Sequence, residues 1–141
     1  MADAAVARDT PEVLRWSRLL ADLHDARVTA CHVFHQVSNG VAHLVAGTTA
    51  IRAMQAQIQH SVTWLSAQLH EAGFAPGEAD MEVLAGDYAD ELLASQRRGD
   101  FDLMVIGSRR LSRVMRAIVG NTGVKLIRRA DCPVLITHSD E

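Results

Sequence analysis

Between Gly107 and Gly123 the chain reads GSRRLSRVMRAIVGNTG, and its residue types suit the holding of an anion. Glycines let backbone amides come close to a phosphate without a Cβ in the way. Asn121 or Thr122 can cap a helix whose first amides, at the positive end of its dipole, attract negative charge. Arginines beside such a turn add charge-assisted bonds to phosphate oxygens. The plainer reading of the same letters is a strand terminator, a capped helix and solvated basic side chains.

The charge distribution sharpens that choice. From Gly107 to Ala130 there are seven basic residues (Arg109, Arg110, Arg113, Arg116, Lys125, Arg128, Arg129) and no acidic one. The rest of the chain therefore holds the other seven of its 14 Lys and Arg, against all 17 Asp and Glu. An electropositive segment sits on an acidic body. The net charge of −3 opposes nucleic-acid binding as a bulk property, so nucleic acid is an unlikely partner on this reading. Arg128 and Arg129 also suit a helix C-terminus.

Elements that would position the loop follow from hydrophobic periodicity. Ala4 to Arg8 is a short first strand candidate. Asp9-Thr10-Pro11-Glu12 starts a helix to about residue 25, with Val13, Trp16, Leu20 and Leu23 on one face. VTACHVF, Val28 to Phe34, is a strand covered on both faces. Past a turn at Ser38-Asn39-Gly40, a helix from Thr48 to Ala72 carries Ile51, Met54, Ile58, Val62, Leu65 and Leu69, and Gly73 stops it. Ala79 to Leu84 is a third strand, Gly86-Asp87 opens a helix to Arg98, and Leu103 to Ile106 is a fourth strand. Asn121 to Arg129 is a fourth helix, and Val134 to Thr137 a fifth strand. Strands alternating with helices predict one α/β domain over residues 1–141, a five-stranded parallel sheet with helices on both faces. The loop after Gly107 then leaves the carboxyl end of a strand, where open α/β sheets bind ligands.

Other chemistry finds little support. Cys31 and Cys132 make no disulfide framework, and in buried strands cysteine is mostly an inert small hydrophobe. His32 and His35 lie three apart on a strand and point to opposite faces, and with His43 they show no zinc spacing, so no metal is expected. There is no nucleophile–base pair, Walker-type lysine or catalytic carboxylate pair, hence no catalytic residue and no enzyme is expected. Trp16 and Trp64 suit packing or an interface. With neither a charged-then-apolar leader nor an apolar run of about 18 residues, a cytoplasmic protein without membrane attachment is expected.

DLMVIGSRRLSRVMRAIVGNTGVKLIRRADCPVLIT resembles the C-terminal half of a universal stress protein domain. That family shows Asp-Leu-(three apolar)-Gly, a Gly-x2-Gly-x9-Gly-Ser/Thr loop, a helix and a Cys-Pro-Val strand. Val83-Leu-Ala-Gly86-Asp87, Leu14-Arg15-Trp16 and Ala30-Cys31-His32-Val33 match as well, extending the similarity over roughly residues 5 to 138.

The resemblance implies a Rossmann-like sheet of strand order 3-2-1-4-5 and a homodimer pairing its last strands, here Val134, Leu135, Ile136 and Thr137. It also implies, for many members, ATP as a bound ligand. Its loop would wrap the phosphates and ribose with Gly107, Ser108, Arg110, Gly120, Asn121 and Thr122, while Val33 at the end of the second strand holds the adenosine. Two positions depart from the pattern. Arg110 stands at the second glycine, where it either fills the triphosphate path or replaces backbone contacts with a guanidinium. Asn121 stands at the Ser/Thr, with Thr122 next. The family's acidic residue ends the first strand; without a gap Arg8 takes its place, and Asp9 serves if that strand shifts by one. The expected function is a dimeric stress-response protein with ATP as regulatory ligand, slow hydrolysis being left open. The alternative is a member that binds no nucleotide and acts as an interaction or scaffold protein.

Overall fold

A computed structural model describes residues 4–34, 47–107 and 120–137. Its elements in chain order are α1 (Ala4–His24), β1 (Val28–Phe34), α2 (Gly47–Glu71), β2 (Ala79–Ala85), α3 (Tyr88–Gly99), β3 (Met104–Gly107), α4 (Gly120–Arg129) and β4 (Val134–Thr137). The β-branched run of β1 pairs in parallel with β2, from Val28 opposite Ala79 to Phe34 opposite Ala85. β3 pairs in parallel with β4, from Met104 opposite Val134 to Gly107 opposite Thr137. Parallel strands joined through helices give an α/β fold, as expected.

The expected five-stranded sheet is not what the described residues form. They make two separate two-stranded sheets, β1–β2 and β3–β4. Both outer pairings of the expected order, third with second and fourth with fifth, are therefore present, but the central strand is not. Ala4 to Arg8 is helical and continuous with α1. The segment is alanine-rich, alanine is the best helix former, and Val6 is its one β-branched residue. Pro11 accordingly falls inside the helix rather than in its first turn. A proline there removes one i→i−4 hydrogen bond and weakens a helix interior by about 3 kcal/mol, so this turn is the weak point of α1.

Each sheet has its own core. Leu14, Ala30, Leu65, Leu69 and Phe74 are buried where α1 and α2 cover β1 and β2, with Val28, Trp64, Ala72 and Ala79 packed around them. Ala89, Leu93 and Leu126 are buried where α3 meets α4 over β3, beside Leu92, Met104, Ile106 and Ala130. α3 also lies against β1, and α1 touches β1, β3 and β4. Helices thus connect the two strand pairs.

The helix faces differ in part from their sequence patterns. In α1 the core residue is Leu14, while Trp16, Leu19 and Leu23 are exposed, Leu23 by 68%. In α2, Leu65 and Leu69 are buried as expected, but Ile51 is 60% exposed and Ile58 is also exposed. A helix of 25 residues is about 37 Å long, well beyond a seven-residue strand of about 23 Å, so its first half outruns the sheet.

Helix ends obey local chemistry. Asp87 caps α3 by accepting a hydrogen bond from the Asp90 amide at 3.1 Å. Asp100 closes α3 in the left-handed region at φ 49°. The Phe101 ring packs over Gly99, the last helical residue: a Cβ there would lie 2.5 Å from that ring.

Candidate functional site

Of the described candidates, Val33 and Gly107 lie at the carboxyl ends of β1 and β3. Gly107 ends β3 opposite Thr137 on β4. Thr137 is buried, and its Oγ1 donates to the Ile106 carbonyl at 3.3 Å, locking the last rung of the pair. α4 begins at Gly120, and its C-terminal end leads through Pro133 into the start of β4. Its N-terminal amides therefore sit toward the strands' carboxyl ends, the end from which an α4 dipole attracts an anion. Gly120, Asn121 and Thr122 are all helical, at the amino-terminal part of α4. Ser108 and Arg110 lie outside the described residues.

The nucleoside side departs further from expectation. Val33 is 4% exposed, so its side chain is packed into the fold rather than presented to a ligand at the end of β1. The β2–α3 turn is fastened there, the Gly86 amide donating to the Phe34 carbonyl at 3.1 Å. Asp9 is not at a strand end: it lies within α1, because the alanine-rich segment before it is helical. The acidic group expected at the end of a first strand has no such strand to occupy.

Among the described residues of the basic segment, Lys125 and Arg129 have acidic partners that sequence reading passed over. Lys125 Nζ lies 2.7 Å from Asp90 Oδ1 and 3.7 Å from Asp87 Oδ1, and Arg129 Nη1 lies 3.9 Å from Asp90. The Lys125 ammonium is held above its ordinary pKa, chiefly by the hydrogen bond to Asp90. Asp87 is held below the usual carboxylate value, chiefly by the backbone amide of Asp90 that it caps. The available signal was an aspartate at the cap and another in the first turn of a helix, with a lysine in the next helix.

A second polar group lies between α3 and the first sheet. Ser95 donates to Glu82 Oε2, and Arg98 Nη2 is 2.6 Å from Glu82 Oε1. Glu82 stands opposite Cys31 in the strand register. Burial, with the nearby Glu82 charge, pushes the Cys31 thiol up to about 12, so it stays protonated and unreactive. His32 is half-buried with its ring 5.2 Å from that of Trp64, and burial lowers its pKa. Among the described residues no three metal-ligating side chains converge.

A surface groove of about 550 Å³ runs between α1 and α2, lined by Pro11, Arg15, Leu19, Gln68 and Glu71 among others. Its charged walls pair with their own neighbours: Arg15 with Glu12, and Arg18 with Asp22 and Glu78. It lies at the end of α2 that leads into the start of β2, away from the strands' carboxyl ends. No helix is long and apolar enough to cross a membrane among the described residues.

Comparison with known proteins then gives a consistent picture. The model of the universal stress protein family matches residues 7–138. A stress response protein, NhaX, of Bacillus subtilis is 36% identical over 59 residues, 42% of this chain and 36% of its own length. A universal stress protein of Mycolicibacterium smegmatis is 24% identical over 138 residues, 94% of this chain and 45% of its own length. The chain thus spans less than half the length of these relatives. A universal stress protein solved in complex with cAMP superposes with a TM-score of 0.62 at 17% identity, over 94% of this chain and 90% of the other. UspA from Lactobacillus plantarum gives 0.64 at 16% identity, over 89% and 86% of the two chains.

Proposed function

Since the chain belongs to the universal stress protein family, we propose that it binds an adenine nucleotide, ATP in the first instance, as a regulatory ligand. The observation that carries this reading is the order of elements: β3 ends at Gly107, and α4, with Gly120 and Gly123 toward its amino end, leads into β4, which runs parallel to β3. Backbone amides at a helix start, free of a Cβ at the first residue, are suited to a phosphate. Gly107, Ser108, Gly120, Asn121 and Thr122 would hold the phosphates, with Arg110 adding a guanidinium. The end of β1 at Val33 would meet the nucleoside through its backbone. The fold shared with a cAMP-bound relative supports an adenine ligand. No catalytic role is assigned to any residue; the proposed activity is binding, in the cytoplasm.

We further propose a homodimer through β4. Val134 to Thr137 has β3 on one edge, and a second copy pairing along the other would cover an apolar strand otherwise open to association. Sedimentation should give twice the chain mass at micromolar concentration, and a monomer there would refute the pairing.

ATP at ten times its Kd should stabilise the protein by about 1.4 kcal/mol, raising Tm by roughly 3–6 °C. Gly120→Arg, which puts a long side chain at the helix start, should abolish that shift. A second reading is favoured by Arg110 at a glycine position and by Asp9 lying in a helix: an interaction protein whose basic loop faces a macromolecular partner. Absence of any ATP-dependent shift in the parent chain would support it.

A further inference from the structure

Any ligand that touches the ends of both β1 and β3 needs the two sheets at a fixed spacing, yet among the described residues no strand pair joins them. Their spacing is carried by helices. In the middle of the contact, Ala89 and Leu93 on α3 close against Leu126 on α4. At the carboxyl edge the connection is polar. The Phe34 carbonyl at the end of β1 accepts from Gly86, and Asp87 caps the helix that follows. Lys125, two residues beyond Gly123, reaches both Asp90 and Asp87, with Arg129 behind it on Asp90. The chain of contacts therefore runs from the end of β1 to the first turns of α4.

We propose that the Lys125–Asp90–Asp87 cluster is a positioning latch: it holds the α4 helix start in register with the end of β1, and so sets the span available to a ligand bound across both. The inference rests on the nucleotide reading and adds residues that touch neither phosphate nor adenine. It also makes a prediction opposite in sign to simple electrostatics. Asp90 is a negative charge beside a basic segment, so if charge alone mattered its removal would tighten an anion. If Asp90 acts as the anchor of the latch, its removal weakens a ligand that spans both halves, because preorganisation is lost. It leaves alone a ligand that engages one half only.

The test is calorimetric titration of the full chain and of Asp90→Asn, Asp90→Glu and Lys125→Met with ATP, adenosine and inorganic triphosphate. For a partly exposed ion pair, Asp90→Asn should weaken ATP by about three- to fivefold, with Asp90→Glu within about twofold of the parent. Adenosine and triphosphate should bind Asp90→Asn no more weakly than they bind the parent. Lys125→Met should also weaken ATP, and the double variant Asp90→Asn/Lys125→Met should be no weaker than Lys125→Met alone, as partners in one interaction require. Unchanged or tighter ATP binding by Asp90→Asn overturns the latch and leaves the nucleotide reading standing. No ATP binding by the parent chain overturns both.

Discussion

The two halves of this molecule use the same plan for different ends. The β1–β2 half is built from seven-residue strands and two long helices, over a core of Leu14, Ala30, Leu65, Leu69 and Phe74. The β3–β4 half has four-residue strands and shorter helices over Ala89, Leu93 and Leu126. The larger half buries more but offers the proposed ligand little beyond the backbone at the end of β1, since Asp9 is not at a strand end. The smaller half has the glycine-framed helix start and the basic segment. Stability and recognition are thus unequally divided, and two helices link them: α3, packed on β1 and on α4, and α1, which touches β1, β3 and β4.

Core truncations should break this comparison most strongly. Leu93→Ala and Leu65→Ala each remove a nearly fully buried side chain and should destabilise by about 2–5 kcal/mol in urea unfolding. They should differ in function: Leu93→Ala loosens α3 against α4 and weakens ATP binding below the melting transition, whereas Leu65→Ala leaves it near the parent value. Equal losses of affinity would erase the distinction between the halves. Next in size is Gly99→Ala, whose Cβ would displace the half-buried Phe101 ring; the gain in helix propensity offsets part of that cost, so the net loss should stay under about 1 kcal/mol by the same measurement.

A smaller effect concerns the polar group under α3. The Ser95 hydroxyl, and then Arg98, hold the Glu82 carboxyl below its ordinary value of 4.5. The unfolded chain therefore takes up the proton first as pH falls. The stabilisation is present above the ordinary value and is lost as pH drops through the lower folded one. Glu82→Gln should flatten this part of the acid limb, by under about 1 kcal/mol. An unaltered acid limb would remove Glu82 from the account. Cys31 gives the smallest signal: its raised thiol should resist iodoacetamide at neutral pH in the folded protein and react readily in urea.

Much of this architecture can be read from residue order. The continuous apolar run of β1, the Gly86-Asp87 cap and the apolar positions around Leu93 each point to one local structure, and each forms it. Ala4 to Arg8 misleads because five residues with one β-branched side chain carry no period, and alanine propensity then favours the helix. The outward Trp16 and Leu23 mislead for another reason: apolar spacing marks a face without saying what covers it. Of the site, glycine positions and arginines are legible because they are local. The Lys125–Asp90 contact is not, since it depends on how two helices pack across 35 residues of sequence.

The measurement closest to the central claim is calorimetric titration of the parent chain and of Gly120→Arg with ATP. Nucleotide binding at the β3–α4 edge predicts a saturable heat with one site per chain in the parent, and none in the variant. No heat from the parent at millimolar ATP, or equal binding by both, would contradict it.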